Sequence, residues 1–120
     1  MNGFVNANVE ATLNLPLRGP KGETEITAIV DTGYDGFLTL PLSIITSLML
    51  PRMSPQPVTL GDGRTRMSAL YEAEIEWDGQ FIGIEVLCLA GDALLGTGLL
   101  KHYRFGADFV AGGLVQVTRL

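Results

Sequence analysis

The sequence predicts an all-β domain built from short strands. Glycine makes up 15 of the 120 residues and follows no repeat period, which indicates many tight turns. Apolar and polar residues alternate in several short segments, as in strands with one solvated face. Asp62-Gly63 and Asp78-Gly79 each lie between two such segments, and Asp-Gly is a strong signal for a hairpin turn. We count roughly nine or ten strands and two helices from these patterns.

Composition limits the kind of protein this is. A length of 120 residues corresponds to one domain, residues 1–120, with a modest core of its own. A hydrophobic content of 47% with 18% charged residues excludes a disordered chain. The net charge is −5 and the basic residues are scattered, so we expect no nucleic-acid partner.

No export or membrane signal is visible in the sequence. The first residues lack a basic segment followed by an apolar one, and no apolar run approaches the ~20 residues that span a bilayer. Cys88 is the single cysteine, so it cannot form an internal disulfide, and we interpret it as a small core side chain. These observations favour a soluble, cytoplasmic protein with no membrane partner.

Two strands are predicted before the segment that carries the chemistry. Residues 5–17 alternate between apolar and short polar side chains and predict one strand. Residues 16–22 contain Pro and Gly at two points each and predict a turn. Residues 23–30 then predict the second strand, which runs directly into Asp31.

The placement of Asp31 is the main functional signal. The apolar residues 28–30 precede it, Thr32 and Gly33 begin a turn after it, and the apolar residues 37–40 leave that turn. A carboxylate that follows the most apolar part of its strand is desolvated, as tuned acid–base chemistry requires. The alternative is an ordinary turn carboxylate that accepts hydrogen bonds from nearby backbone N–H groups.

A change of period after Leu40 predicts a helix of about two turns. Pro41 suits the first turn of a helix, because its missing N–H would be unbonded there anyway, and Pro51 ends the pattern. Apolar residues at three- and four-residue spacing would form one stripe: Leu42, Ile45, Leu48 and Met49.

The remainder of the chain predicts three hairpins and one helical turn. Glu72, Glu74 and Glu76 alternate with apolar residues, and we interpret them as a solvated face, because metal ligands need His or converging carboxylates. We therefore expect no metal and no cofactor. The predicted elements are strands 58–60 and 65–76 around the turn 61–64, a turn at 77–80, a strand at 81–89, a helical turn at 99–103, and a last hairpin of 104–110 and 114–118.

Two motifs together resemble the retropepsin-like aspartic proteases, of the bacterial single-domain type. Two hydrophobic residues followed by Asp31-Thr32-Gly33 resemble the active-site loop of that family. Ala93-Leu94-Leu95-Gly96, followed by Leu99-Leu100, resembles the element that threads beside this loop and precedes a short helix. The motifs and the strands between them cover residues 25–102. The resemblance implies a closed retropepsin-like β-barrel with one or two short helices, one lobe per chain.

The resemblance also implies an aspartic endopeptidase that is active as a homodimer on a peptide or protein substrate. Hydrolysis of this kind uses two carboxylates about 3 Å apart that share one proton. The chain has one Asp-Thr-Gly, so the second carboxylate would be Asp31 of another copy across a two-fold axis. In the family, the residue at Thr32 hydrogen-bonds across the pair, and Gly33 donates its N–H to the carboxylate.

Substrate-binding roles follow from the same resemblance. Gly61, Asp62 and Gly63 match the flap hairpin that closes over a bound peptide, although Asp62 is better explained as a residue that forms the turn. Asp35 matches a position that contacts the substrate backbone. In retroviral relatives this position pairs with an arginine, where this chain has Thr97.

The departures from the family pattern keep other functions open. With Thr97 and Gly98 after the second motif, we expect the Asp31 loop to be held in a different way. One alternative is a non-catalytic module of the same fold that binds peptides or dimerises. A third reading is a small β-barrel binding domain with an accidental Asp-Thr-Gly.

Overall fold

The alternating segments form eleven strands and two short helices among the residues that the structure describes. The computed structural model describes residues 1–53, 56–59 and 65–120, and only the backbone of 56–59 and 65–68. The elements are β1 (Asn2–Val5), β2 (Ala11–Gly19), β3 (Gly22–Val30), β4 (Leu38–Leu40), α1 (Leu42–Ser47), β5 (Gln56–Thr59), β6 (Thr65–Ser68), β7 (Leu70–Trp77), β8 (Gln80–Cys88), β9 (Leu94–Leu95), α2 (Thr97–Leu100), β10 (Tyr103–Ala107) and β11 (Leu114–Arg119).

Six strands close into a barrel in the order β2-β3-β9-β4-β8-β7. The barrel closes because the second half of β2 pairs with β7, with Leu17 opposite Ile75 and Arg18 opposite Glu74. The first half of β2 pairs instead with β1, and β11 and β10 extend the sheet from there. The predicted closed barrel with two short helices and one lobe is confirmed.

The inward positions of the strands form the hydrophobic core. In β2, Leu13, Leu15 and Leu17 are buried, whereas Asn14 between them is exposed. The same alternation in β3, β7 and β11 brings one face of each strand into the same cluster. Burial of these side chains, at roughly 1.5–3 kcal/mol for each large one, is the main force that holds the barrel together.

The prediction of one strand over residues 5–17 was wrong. The chain makes a turn between β1 and β2, because the Asn6 side-chain oxygen accepts the N–H groups of Asn8 and Glu10, each at 3.0 Å. Val9 in this turn has a φ of 60°. The alternating pattern of the sequence continues through this turn only because Ala7 and Val9 are apolar and keep the two-residue spacing of Val5 and Ala11.

Several element ends also differ from the prediction. Helix α1 ends at Ser47, and Met49, at a φ of 50°, is exposed instead of completing the buried stripe. Leu42 is exposed as well. Helix α2 spans Thr97–Leu100 instead of 99–103, and Gly96 is its N-cap residue.

The predicted hairpins are present. Asp78 and Gly79 have φ values of 52° and 87°, as their turn between β7 and β8 requires. Strands β5 and β6 pair antiparallel, with Thr59 opposite Thr65, and the turn residues 60–64 lie outside the described residues. In the described part of the chain, no helix is long and apolar enough to cross a membrane.

Candidate active site

The loop that begins at Asp31 leaves the end of β3 beside the short strand β9. Strand β9 lies between β3, to which it is parallel, and β4, to which it is antiparallel. Asp31 comes directly after β3 and donates its N–H to the Leu95 carbonyl at 2.9 Å. The short second motif therefore fixes the backbone from which the Asp31 carboxylate projects.

The rest of the loop is held from the start of α2. The N–H of Gly96 donates to Phe37 O at 2.9 Å, and the N–H of Gly98 donates to Gly36 O at 2.9 Å. Thr97 donates to the Tyr34 carbonyl twice, from its N–H at 2.8 Å and from its hydroxyl at 3.3 Å. Thr97 therefore holds the loop through neutral hydrogen bonds.

The Asp31 carboxylate is half-buried and oriented by its own loop. The Asp31 Oδ1 accepts the Gly33 N–H at 2.9 Å, and the main-chain carbonyl of Asp31 accepts the Tyr34 N–H at 3.2 Å. A Cβ at position 33 would lie 3.2 Å from Oδ1, which is tighter than ordinary van der Waals contact. The carboxylate thus keeps one well-defined hydrogen bond and a face that solvent can reach.

Asp31 and Thr32 line a groove of about 420 Å³. The turn after β1 contributes Val9 and Glu10 to this groove, and the segment after β10 contributes Phe109. The Glu10 side chain accepts the Asn6 amide N–H at 3.0 Å. Three segments far apart in sequence therefore form a concave surface of mixed polarity around the Asp31 carboxylate and a second acidic side chain.

A larger groove of about 750 Å³ lies elsewhere, between β7, β8 and Phe37. Its acidic lining residues are Glu72, Glu74 and Glu85, and Arg18 pairs with Glu74 at 3.1 Å. Asp31 does not line it. Of these two grooves, the smaller one contains the Asp31 carboxylate and is therefore the candidate site.

Of the other predicted site residues that the structure describes, Thr32 lies at the Asp31 groove and Asp35 does not line it. Asp35 is exposed, and Thr32 is exposed at the groove. The flap residues Gly61, Asp62 and Gly63 lie outside the described residues. No three His, Cys, Asp or Glu side chains converge as metal ligands would in the ranges that the structure covers.

Two side chains beside the loop were missed at the level of sequence, the half-buried Tyr34 and the buried Thr39. The half-buried Tyr34 ring packs against Gly36 and Gly96, and burial, with the carboxylates of Asp35 and Glu85, raises the pKa of its phenol. Thr39 is fully buried in β4, and its hydroxyl accepts the Leu94 N–H at 2.9 Å. A polar residue between Leu38 and Leu40 was the available signal for Thr39.

Comparisons with known proteins give matches in structure alone. No protein-family model and no curated protein matches the sequence. The EIAV protease complexed with the inhibitor HBY-793 matches with a TM-score of 0.58 and 17% identity, over 77% of this chain and 86% of that one. A retropepsin-like aspartic protease from Rickettsia conorii matches with a TM-score of 0.58 and 16% identity, over 100% of this chain and 90% of that one. The described strands and helices therefore have the fold of the retropepsin-like aspartic proteases.

Proposed function

We propose that the protein is an aspartic endopeptidase, active as a homodimer in which Asp31 of each subunit contributes one carboxylate. The observation that carries the proposal is the position of Asp31. It follows a buried strand, its N–H is bound to Leu95, its carboxylate is bound to Gly33 N–H, and it faces an open groove. Two proteins of the same fold are proteases by name.

In the proposed mechanism, two Asp31 carboxylates share one proton. The ionised one takes a proton from a water molecule, which attacks the scissile carbonyl, while the protonated one polarises the carbonyl oxygen. The carboxylate that received the proton from water then transfers it to the departing amine. Since one proton must stay on the pair, activity is expected at acidic to neutral pH.

The surface around Asp31 supports a second copy as the source of the second carboxylate. Val9 and Phe109 line the Asp31 groove, yet they are 48% and 58% exposed. Contact between two such faces would remove this apolar surface from water as it brings the carboxylates together. The substrate peptide would then lie extended beside the two Asp31 loops.

The primary experiment measures cleavage of a peptide library between acidic and neutral pH, with and without a pepstatin-like inhibitor. Asp31→Asn should abolish cleavage while it leaves the fold intact. Asp92→Asn is the matched control, because Asp92 is an exposed carboxylate in the turn before β9. Equal cleavage by wild type and Asp31→Asn would refute the assignment.

A second experiment tests the homodimer by sedimentation. Phe109→Asp should shift the protein toward monomer and reduce cleavage. Met49→Asp is the control, since Met49 is 59% exposed on a different part of the surface and does not line the groove. Loss of the dimer with Met49→Asp but not with Phe109→Asp would contradict this interface.

The second candidate is a peptide-binding or dimerisation module without hydrolysis. The neutral hydrogen bonds from Thr97 favour it, because they maintain the loop without the ion pair of retroviral relatives. This candidate predicts that peptides bind without being cleaved and that Asp31→Asn leaves binding unchanged.

A further inference from the structure

The Tyr34 side chain lies at the point where the Asp31 loop meets the second motif. An added Cβ at Gly36 would collide with the Oη, Cζ and Cε1 atoms of the Tyr34 ring, the last at 2.8 Å. An added Cβ at Gly96 would lie 2.6 Å from Tyr34 Cδ2. The ring therefore fills the space that these two glycines leave between the loop and the start of α2.

Glycine at position 36 is explained by the lack of space for a Cβ beside the Tyr34 ring, and not by its backbone conformation. The left-handed glycines of the described chain are Gly22, Gly79, Gly91 and Gly112, and Gly36 is not among them. All three atoms nearest to an added Cβ at Gly36 belong to the Tyr34 side chain. Alanine would suit the backbone at position 36, but it would displace the ring.

The backbone of Tyr34 joins the catalytic end of the loop to α2. Its N–H donates to the Asp31 carbonyl at 3.2 Å, and its carbonyl accepts both bonds from Thr97. A shift of the ring would move this peptide unit. The Gly33 N–H that binds Asp31 Oδ1 lies in the preceding peptide unit, so a backbone shift at Tyr34 would reach it through the Gly33 Cα.

We infer that Tyr34 is a positioning residue: its ring, packed against Gly36 and Gly96, sets the position of the Asp31 carboxylate. The inference rests on the proposed function for its consequence in catalysis. It also predicts the geometry of the loop itself, which is measurable without catalysis.

The kinetic test compares Tyr34→Ala, Tyr34→Phe and Gly36→Ala. Tyr34→Ala should lower kcat by about tenfold to a hundredfold with little change in KM, since a displacement of about 1 Å at the reacting groups costs on the order of 10²-fold. Tyr34→Phe retains the ring and should keep kcat within about twofold of the wild-type value. The control is Tyr103→Ala, which removes a half-buried ring packed on Trp77 and should lower stability without this loss of kcat.

A double-mutant cycle separates positioning from simple loss of packing. Gly36→Ala should lower kcat by about tenfold in the wild-type background and have almost no further effect in Tyr34→Ala, where the ring is gone. The same effect of Gly36→Ala in both backgrounds, or wild-type kcat in Tyr34→Ala, would overturn the inference. If Tyr34→Ala does not fold, wild-type kcat in Gly36→Ala overturns it.

An NMR measurement keeps this inference distinct from the proposed function. The hydrogen-exchange rate of the Gly33 amide reports its hydrogen bond to Asp31 Oδ1, and it should rise in Tyr34→Ala but not in Tyr103→Ala. If the wild-type protein cleaves no peptide, faster Gly33 exchange in Tyr34→Ala still supports the positioning role, while the proposed function fails. An unchanged exchange rate in Tyr34→Ala overturns the inference whatever the activity.

Discussion

The buried hydroxyl of Thr39 gives a prediction with a magnitude that follows from the structure. Thr39 is 0% exposed, and its Oγ1 accepts the Leu94 N–H at 2.9 Å. Thr39→Val keeps the shape of the side chain but removes this acceptor. The Leu94 N–H, in the strand that holds Asp31, would then lose its partner.

The expected loss of stability is about 0.2–2 kcal/mol. A buried donor without a partner costs about 1–3 kcal/mol, and burial of one more methyl group offsets about 0.8 kcal/mol of this. For a domain of this size, each kcal/mol lowers Tm by about 4 °C. We therefore expect Thr39→Val to lower Tm by about 1–8 °C.

The assay combines denaturant unfolding at fixed protein concentration with hydrogen exchange of the Leu94 amide. Thr39→Ser retains the hydroxyl and should keep that amide protected. Thr12→Val is the second control, since Thr12 is also buried, but its hydroxyl donates to Phe4 O at 2.7 Å in another part of the sheet. Undiminished Leu94 protection in Thr39→Val would refute the reasoning.

Three further predictions concern the groove and its loop. Gly33→Ala should reduce kcat/KM about tenfold or more in peptide hydrolysis, because its Cβ would lie 3.2 Å from Asp31 Oδ1 and crowd the carboxylate; wild-type kinetics would contradict this. Glu10→Gln should retain at least about a tenth of wild-type kcat/KM if the second carboxylate comes from the other subunit, whereas abolished cleavage would assign that role to Glu10. Burial raises the pKa of Tyr34 above its usual value near 10, so its contribution to stability is complete below about pH 10 and is lost as pH rises through the higher folded-state value. Denaturant unfolding between about pH 9 and 11 should show a decline in stability that Tyr34→Phe reduces; an equal decline in both proteins would exclude Tyr34 as its source.

Local patterns predicted most elements because burial leaves a direct mark on the sequence. The hairpin at Asp78-Gly79 follows from residues that tolerate positive φ, and the strand before Asp31 follows from its apolar run. The same logic failed over residues 5–17. There the side chain of Asn6 turns the backbone, while the apolar residues on either side remain in phase.

The candidate site was predicted only in part for a related reason. Asp31, Thr32 and Gly33 adjoin one another in the chain, so one motif reveals them. Val9 and Phe109 reach the same groove through strand pairing across the sheet, and no spacing in the sequence records that.

The sequence by itself determined the β-rich class, the two apolar runs around Asp31, and the turn that follows this carboxylate. Only the tertiary structure decided that β9 lies between β3 and β4, that β2 divides its pairing between β1 and β7, and that the Tyr34 ring closes against Gly36 and Gly96. The physical reason is that backbone hydrogen bonds are alike in every strand. Alternation therefore specifies which face of a strand is buried, whereas the choice of neighbour depends on how the whole barrel buries its core.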